Sequence, residues 1–199
     1  MPALPDLQVI SGRLERGEID SAQYLDQLMR FVAAQIGCSR AGLRLLLDTE
    51  QGRTMRCVAM YDATLDRMVT AADIDHADGG PYFERLLHDG NVTATRARAD
   101  AADKPLVDYL VAADVSAVMD MSFSVNGVLY GTFSCEQIGT PTEWTQRQLQ
   151  VLRKIASRAS LTLMHVINTS VDTAPGALWE TSTPNRLATM PMPFDPKPE

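Results

Sequence analysis

Two alternating segments joined at Asn126-Gly127 constrain this chain more than any other stretch. From Asp120 to Ser134 the sequence reads DMSFSVNGVLYGTFS, and Asn-Gly between alternating runs is the strongest short-range signal of a β-hairpin. The register decides which side chains share a face. A two-residue type I′ loop would pair Val125 with Val128 and put Met119, Met121 and Phe123 with Tyr130, Thr132 and Ser134. A three-residue loop with Gly127 in the left-handed position of a bulge pairs Ser124 with Val128 instead. That register gathers Met119, Met121, Phe123, Leu129, Phe133 and Cys135 on one face. It leaves Asp120, Ser122, Ser124, Tyr130, Thr132, Ser134 and Glu136 on the other. A one-residue slip exchanges faces, so the hydrophobic pattern selects the register, and the pattern favours the three-residue loop.

The segment after the hairpin reads as a helix. Thr140-Pro141-Thr142-Glu143 has a capping threonine, proline at the first helical position and glutamate at the third. Leu149, Leu152, Ala156, Ala159, Leu163 and Val166 then recur at spacings of three and four as far as about Asn168, a stripe suited to packing on a sheet or to a dimer seam. Upstream, Asp20 with Gln23 forms a capping-box pattern, Leu25, Leu28, Val32 and Ile36 make an apolar stripe, and Gly37 supplies a stop. Leu43 to Asp48 and Met55 to Asp62 read as strands around a polar turn. Pro81 opens a short helix ended by Gly90, Asn91 to Thr95 reads as a strand, and Asp103-Lys104-Pro105 introduces another helix. A short helix around Leu7 to Leu14 is interrupted by Gly12 and Gly17. This order gives an α+β domain: a central antiparallel sheet, N- and C-terminal helices on one face, and the short helices and loops of the middle segments on the other. The boundaries are an N-terminal extension at 1–19, the domain at 20–169, and a Pro-rich tail at 170–199 expected to be extended or disordered.

Composition excludes several function classes. The 199 residues carry a net charge of −7, which argues against nucleic acid as a partner, because phosphate binding needs a basic face. No apolar run approaches the roughly 18 residues of a membrane span, and MPALPDLQV lacks the pattern of a signal peptide. Cys38, Cys57 and Cys135 are too few and too scattered for a disulfide framework, as suits a cytoplasmic protein.

The stretch from Val118 to Glu136, with Gly127 and Gly131 in a strand–turn–Gly–strand core, resembles a GAF domain. Trp144 and the helix from Thr145 to Leu163 extend the resemblance, as do Tyr24 to Gly37 and Asp100 to Leu110, so that it covers about residues 20 to 168. It implies a sheet of about six antiparallel strands with the first and last helices behind it. It also implies a pocket in front, which in different members takes cyclic nucleotides, tetrapyrroles, haem, amino acids or small anions. A homodimer through the terminal helices and a signalling protein partner are implied as well. With no kinase, cyclase or DNA-binding segment in view, the module would be a stand-alone sensor, or a piece of a larger signalling protein. The Asn-Lys…Phe…Asp-Glu series of cyclic-nucleotide binders and the Cys-His pair of bilin binders are absent. So are the middle-loop cysteines of free methionine sulfoxide reductases, and the expectation is a module without catalytic activity.

Candidate ligand-binding residues come from the hydroxyl-rich hairpin face: Ser122, Tyr130, Thr132 and Ser134, with Asp120 and Glu136 at its margins. A solvated sheet face is the alternative reading. Arg44 falls opposite Leu43 and Leu45 in its strand and offers a planar fork for a carboxylate or phosphate. Arg96 and Arg98 would clamp an anion or stand as exposed loop arginines. Tyr82, Phe83 and Tyr109 would roof the pocket or, for Phe83, pack in the core. Asp73, Asp75 and Glu84 occupy the first, third and twelfth positions of a calcium loop, but Ala77 and Asp78 break it, so no metal site is expected. A redox pair of Cys57 and Cys135 is a remote option, and neither His88 nor His165 belongs to a catalytic triad. The small ligand, and any cofactor, is unspecified by the sequence. The competing readings are a ligand-free dimerisation or protein-interaction module and, further off, a sulfoxide-reductase-like enzyme.

Overall fold

A computed structural model describes residues 6–50, 52–76, 80–101 and 104–173. Three helices cover one face of the sheet: α1 (Leu7–Glu15), α2 (Ser21–Ile36) and α6 (Gln146–Thr173). The other face carries α3 (Pro81–Asp89), α4 (Ala97–Asp100) and α5 (Lys104–Ala112). The strands are β1 (Arg40–Thr49), β2 (Gly52–Asp62), β3 (Arg67–Met68), β4 (Ile74–His76), β5 (Asn91–Ala94), β6 (Val115–Val125) and β7 (Val128–Ile138). They form one seven-stranded sheet in the order β3-β2-β1-β7-β6-β5, with β4 also on β2, and every pairing is antiparallel. The α+β architecture expected from the sequence is the one found.

Local signals explain most elements. The Asp20 side chain accepts the Gln23 N–H at 2.8 Å while the Gln23 side chain accepts the Asp20 N–H at 3.1 Å, and Gly37 ends α2 at φ 74°. Gly90 ends α3 the same way at φ 71°. Behind the sheet, Leu28, Met29 and Val32 of α2 and Leu152, Ala156, Ala159 and Leu163 of α6 pack on Leu43, Leu45, Met119, Phe123, Phe133 and Cys135. The α6 stripe is therefore spent inside the domain. Leu7 and Ile10 of α1 and Ile19 after it join the same core, so residues before 20 contribute to it. The tail assigned to 170–199 lies outside the described residues from 174 onward, and α6 itself runs to Thr173.

The hairpin differs from expectation at its tip. Asn126 (φ 52°) and Gly127 (φ 78°) both take left-handed backbone, and Val125 pairs with Val128, which is the two-residue type I′ loop. Ser124 then pairs with Leu129 but Phe123 with Gly131, leaving Tyr130 as the extra residue of a bulge. The bulge restores the parity the core needs, so Phe133 and Cys135 still face back and Thr132 and Ser134 still face front. Only Leu129 and Tyr130 exchange faces: Leu129 packs with the front core, and Tyr130 stacks on Phe123 at 6.4 Å behind the sheet.

The start of α6 also differs. Thr145, not Thr140, caps it: the Gln148 N–H donates to Thr145 Oγ1 at 3.2 Å, and Gln148 Oε1 accepts the Thr145 N–H at 2.9 Å. Gln148 Nε2 donates to the Ile36 carbonyl at 2.8 Å. Two capping boxes are possible in sequence, and the one that also ties α6 to α2 is used. Thr145→Ala is expected to lower unfolding free energy by about 1 kcal/mol, with Thr140→Ala within about 0.5 kcal/mol of wild type, in urea titrations of the two variants.

Candidate functional site

The front of β1, β6 and β7 holds a buried polar cluster roofed by α3 and α5. Period-two alternation sends Arg44 forward between Leu43 and Leu45, and sends Asp120, Thr132, Ser134 and Glu136 forward between the apolar residues of β6 and β7. Exposure is 1% for Arg44, 4% for Asp120, 1% for Thr132, 3% for Ser134 and 2% for Glu136. Polar groups this deep are normally hydrogen-bonded or in contact with something that stands in for water.

The roof comes down onto the two carboxylates. Tyr82 Oη of α3 donates to Asp120 Oδ2 at 2.7 Å, and Tyr109 Oη of α5 donates to Glu136 Oε1 at 2.6 Å. Arg44 Nη1 donates to the Ala72 carbonyl at 2.8 Å, its guanidinium lies over the Tyr109 ring at 4.5 Å, and Nη2 stands 3.7 Å from Glu136 Oε1. Among the described residues, four buried side-chain atoms of this cluster lack a hydrogen-bond partner of normal geometry: Arg44 Nη2, Asp120 Oδ1, Thr132 Oγ1 and Glu136 Oε2.

Burial sets the electrostatics. It pushes the Asp120 carboxyl up to about 6, against the moderating Tyr82 hydrogen bond and the nearby Ser134 hydroxyl, with Glu136 adding to the rise and Arg44 opposing it. Burial likewise raises both phenols, and the carboxylates they serve add to it, so Tyr82 and Tyr109 stay neutral donors. The consequence for stability has a definite sign. A folded-state pKa above the unfolded one contributes stability that is present below the unfolded pKa, near 3.8, and is lost as pH rises through about 6. Above that pH the ionised Asp120 costs about 3 kcal/mol. Asp120→Asn keeps an acceptor for Tyr82 and removes the charge. It is expected to raise the melting temperature by about 5 °C at pH 7.5 and to lose that advantage near pH 4, in thermal melts across the pH range.

Of the residues singled out from the sequence, Asp120, Thr132, Ser134, Arg44, Tyr82 and Tyr109 converge here. Ser122 lies on the same face, but its hydroxyl donates to the Gly90 carbonyl at 2.9 Å, pinning the end of α3. Tyr130 does not converge, because the bulge turns it behind the sheet. Arg96 is exposed at the start of α4, where its N–H donates to Asp100. Arg98 is engaged with the Val115 carbonyl and Asp114, so the two make no anion clamp. Phe83 is core at 1% exposure. Glu136, set at the margin by the sequence, is central: its diagonal relation to Asp120 across the hairpin register was the available signal.

The remaining cysteine and acidic options are accounted for by packing. Cys57 lies opposite Arg44 in the register of β1 and β2 and faces forward, whereas Cys135 lies with Cys38 in the back core, so the sheet separates Cys57 from Cys135. Asp73 accepts the Cys57 N–H and Asp75 accepts the Thr54 hydroxyl. Residues 77 to 79 of the acidic loop lie outside the described residues, and among the described residues no His, Cys, Asp and Glu group is arranged to hold a metal.

The decisive comparison is with a sequence family: the family model described as GAF domain matches residues 20–163. The chain belongs to the GAF domain family. Solved structures agree on the fold. The blue-light absorbing form of the Thermosynechococcus elongatus PixJ GAF domain superposes with a TM-score of 0.59 at 14% identity, covering 87% of this chain and 96% of that one. The chromophore-binding domain of an unusual bacteriophytochrome from R. palustris gives 0.61 at 14% identity, with 82% and 61% covered. A domain of a Sinorhizobium meliloti 1021 protein assigned as a two-component sensor histidine kinase gives 0.53 at 17% identity, with 77% and 97% covered. No curated protein matches the chain in sequence. Within this GAF domain the cluster faces the layer formed by α3, α4 and α5, and no helix among the described residues is long and apolar enough to cross a membrane.

Proposed function

We propose that this GAF domain is a non-catalytic, cytoplasmic sensory module that binds a small ligand between the polar front of β1, β6 and β7 and the segment carrying Tyr82 and Tyr109. The observation that carries the reading is the set of four buried polar atoms without hydrogen-bond partners among the described residues, on side chains at most 4% exposed. Leaving each such group unmet costs about 1–3 kcal/mol, and a ligand with matching groups recovers that cost. The structural relatives support the same use of the fold, since one is a chromophore-binding domain, one a blue-light absorbing GAF domain and one a domain of a protein assigned as a sensor kinase. Here Tyr82 and Tyr109 close over the cluster. Ligand entry therefore requires α3 and α5 to lift, and the bound ligand selects that raised arrangement.

A thermal-shift screen with nucleotides, tetrapyrroles, amino acids, amines and inorganic anions, followed by titration calorimetry, tests this reading. At least one class is expected to raise the melting temperature of wild type, and Thr132→Val is expected to weaken that response about tenfold in affinity, the equivalent of one lost buried hydrogen bond. A screen without any response would sink it. The second reading, a dimerisation or docking module, is favoured by a groove of about 160 Å³ between α1, α2 and α6, lined by Leu7, Phe31, Val151 and Ile155 with Lys154 and Arg158 at its rim. Sedimentation of the chain with and without residues 170–199 separates helix contacts from tail contacts.

A further inference from the structure

We propose that the ligand of the front-face cluster is a compact organic cation that presents protonated nitrogen (an amine, amidine or guanidine) to Asp120 and Glu136. This rests on the ligand-site reading and names the class of ligand.

Donor and acceptor inventory carries the inference. A bidentate anion would need both arms of the Arg44 fork, but Nη1 is held by the Ala72 carbonyl, the planar face lies on the Tyr109 ring, and Nη2, which has no hydrogen bond, stands 3.7 Å from the Glu136 carboxylate, where an anion would be repelled. What remains open is chiefly acceptor capacity, at Asp120 Oδ1 and Glu136 Oε2, with the Thr132 hydroxyl beside them. An ionised carboxylate accepts and cannot donate. The groups that would complete the cluster are therefore N–H donors.

Charge gives the same answer independently. Among the described residues one guanidinium faces two carboxylates, and the two phenols stay neutral because burial raises them. With both carboxylates ionised the cluster holds an excess of one negative charge away from water, which is expensive unless paired. A monocation neutralises it, whereas an anion would add a second negative charge beside Asp120 and Glu136. A metal ion is the poorer cation, since among the described residues no group of three His, Cys, Asp or Glu side chains converges. Tyr82 and Tyr109 already show the required interaction, each donating one hydrogen bond to one carboxylate. They hold the place of the ligand's donors, and because they sit on α3 and α5, their displacement is the signal.

Isosteric probes of opposite charge test the proposal on the full chain. Benzamidinium and methylguanidinium are expected to raise the melting temperature by a few degrees at pH 7.5 and millimolar concentration, while benzoate and inorganic phosphate leave it unchanged. Asp120 is faced by Tyr82 from α3, by Ser134 and Glu136 from β7 and by Arg44 from β1. Its protonation should make the cations bind about tenfold more weakly at pH 5 than at pH 7.5. Asp120→Asn should abolish the cation response without lowering the variant's own melting temperature. No response to either cation, or an equal response to benzoate, overturns the inference. Hits from the wider screen would then leave the ligand-site reading standing, and their absence would remove both.

Discussion

Replacing Arg44 by methionine is expected to destabilise the domain by about 3–5 kcal/mol at pH 7.5, a fall of about 10 °C in melting temperature. The side chain is 1% exposed and carries the cluster's one guanidinium, so its removal leaves Asp120 and Glu136 facing each other without a cation. It also leaves the Ala72 carbonyl without its 2.8 Å donor and the Tyr109 ring without its cationic partner. Methionine replaces much of the stem, so cavity formation contributes little and the loss is electrostatic. That origin has a signature. Asp120 already binds its proton with a folded pKa of about 6, and without Arg44 its ionised form is worse off still. The destabilisation should therefore shrink as pH falls from 7.5 to 5, in urea titrations at the two values. An equal loss at both would mean that Arg44 matters only as packing.

Gly131→Ala is expected to cost at least about 3 kcal/mol, at the upper end of what overpacking does. A Cβ at this position would lie 2.0 Å from the Arg44 carbonyl oxygen and 2.9 Å from the Phe123 ring. The first obstacle is backbone, in the strand that pairs Leu45 with Gly131, so relief requires β1 and β7 to separate. Gly127 makes a useful contrast. It has φ 78° and nothing within 4 Å of its would-be Cβ, so Gly127→Ala meets only the penalty of left-handed backbone, about 1 kcal/mol. Thermal melts of the two variants should rank Gly131→Ala well below Gly127→Ala. The reverse order would contradict the close approach of β1 to β7.

The comparison of these glycines also shows where sequence reasoning ran out. The place of the turn at Asn126-Gly127 is legible because a local turn needs only local chemistry, and so is the capping box of α2, but the two-residue loop was read as a three-residue one. The division of β6 and β7 into an apolar back and a polar front was legible because period two survives any even change of register. Tyr130 was not. Its face depends on a bulge, and the bulge sits next to the glycine that the backbone of β1, some 87 positions earlier in the chain, leaves no room to substitute. The start of α6 was misplaced for a related reason: Thr140 and Thr145 are both competent caps, and a hydrogen bond to Ile36, 112 residues away in sequence, decides between them.

The site was legible in its membership more than in its chemistry. Alternation placed Arg44, Asp120, Thr132 and Ser134 on one side, and the short helices supplied Tyr82 and Tyr109. The sequence suggested a fork open to an anion. The fold instead ties one arm of that fork to Ala72 and sets the other beside Glu136 without a hydrogen bond, and it leaves two carboxylate oxygens open beside it. Which polar group is spent and which is left over is a tertiary property, fixed by where α5 and the segment before β4 come to rest.

The most direct measurement is an experimental electron-density map of crystals grown with the strongest stabiliser from the screen. The account predicts a feature larger than water within hydrogen-bonding distance of Asp120 Oδ1, Glu136 Oε2 and Thr132 Oγ1, with the Tyr82 and Tyr109 hydroxyls moved off their carboxylates. A map in which both tyrosines keep those hydrogen bonds, and only ordered water meets the three oxygens, would contradict it.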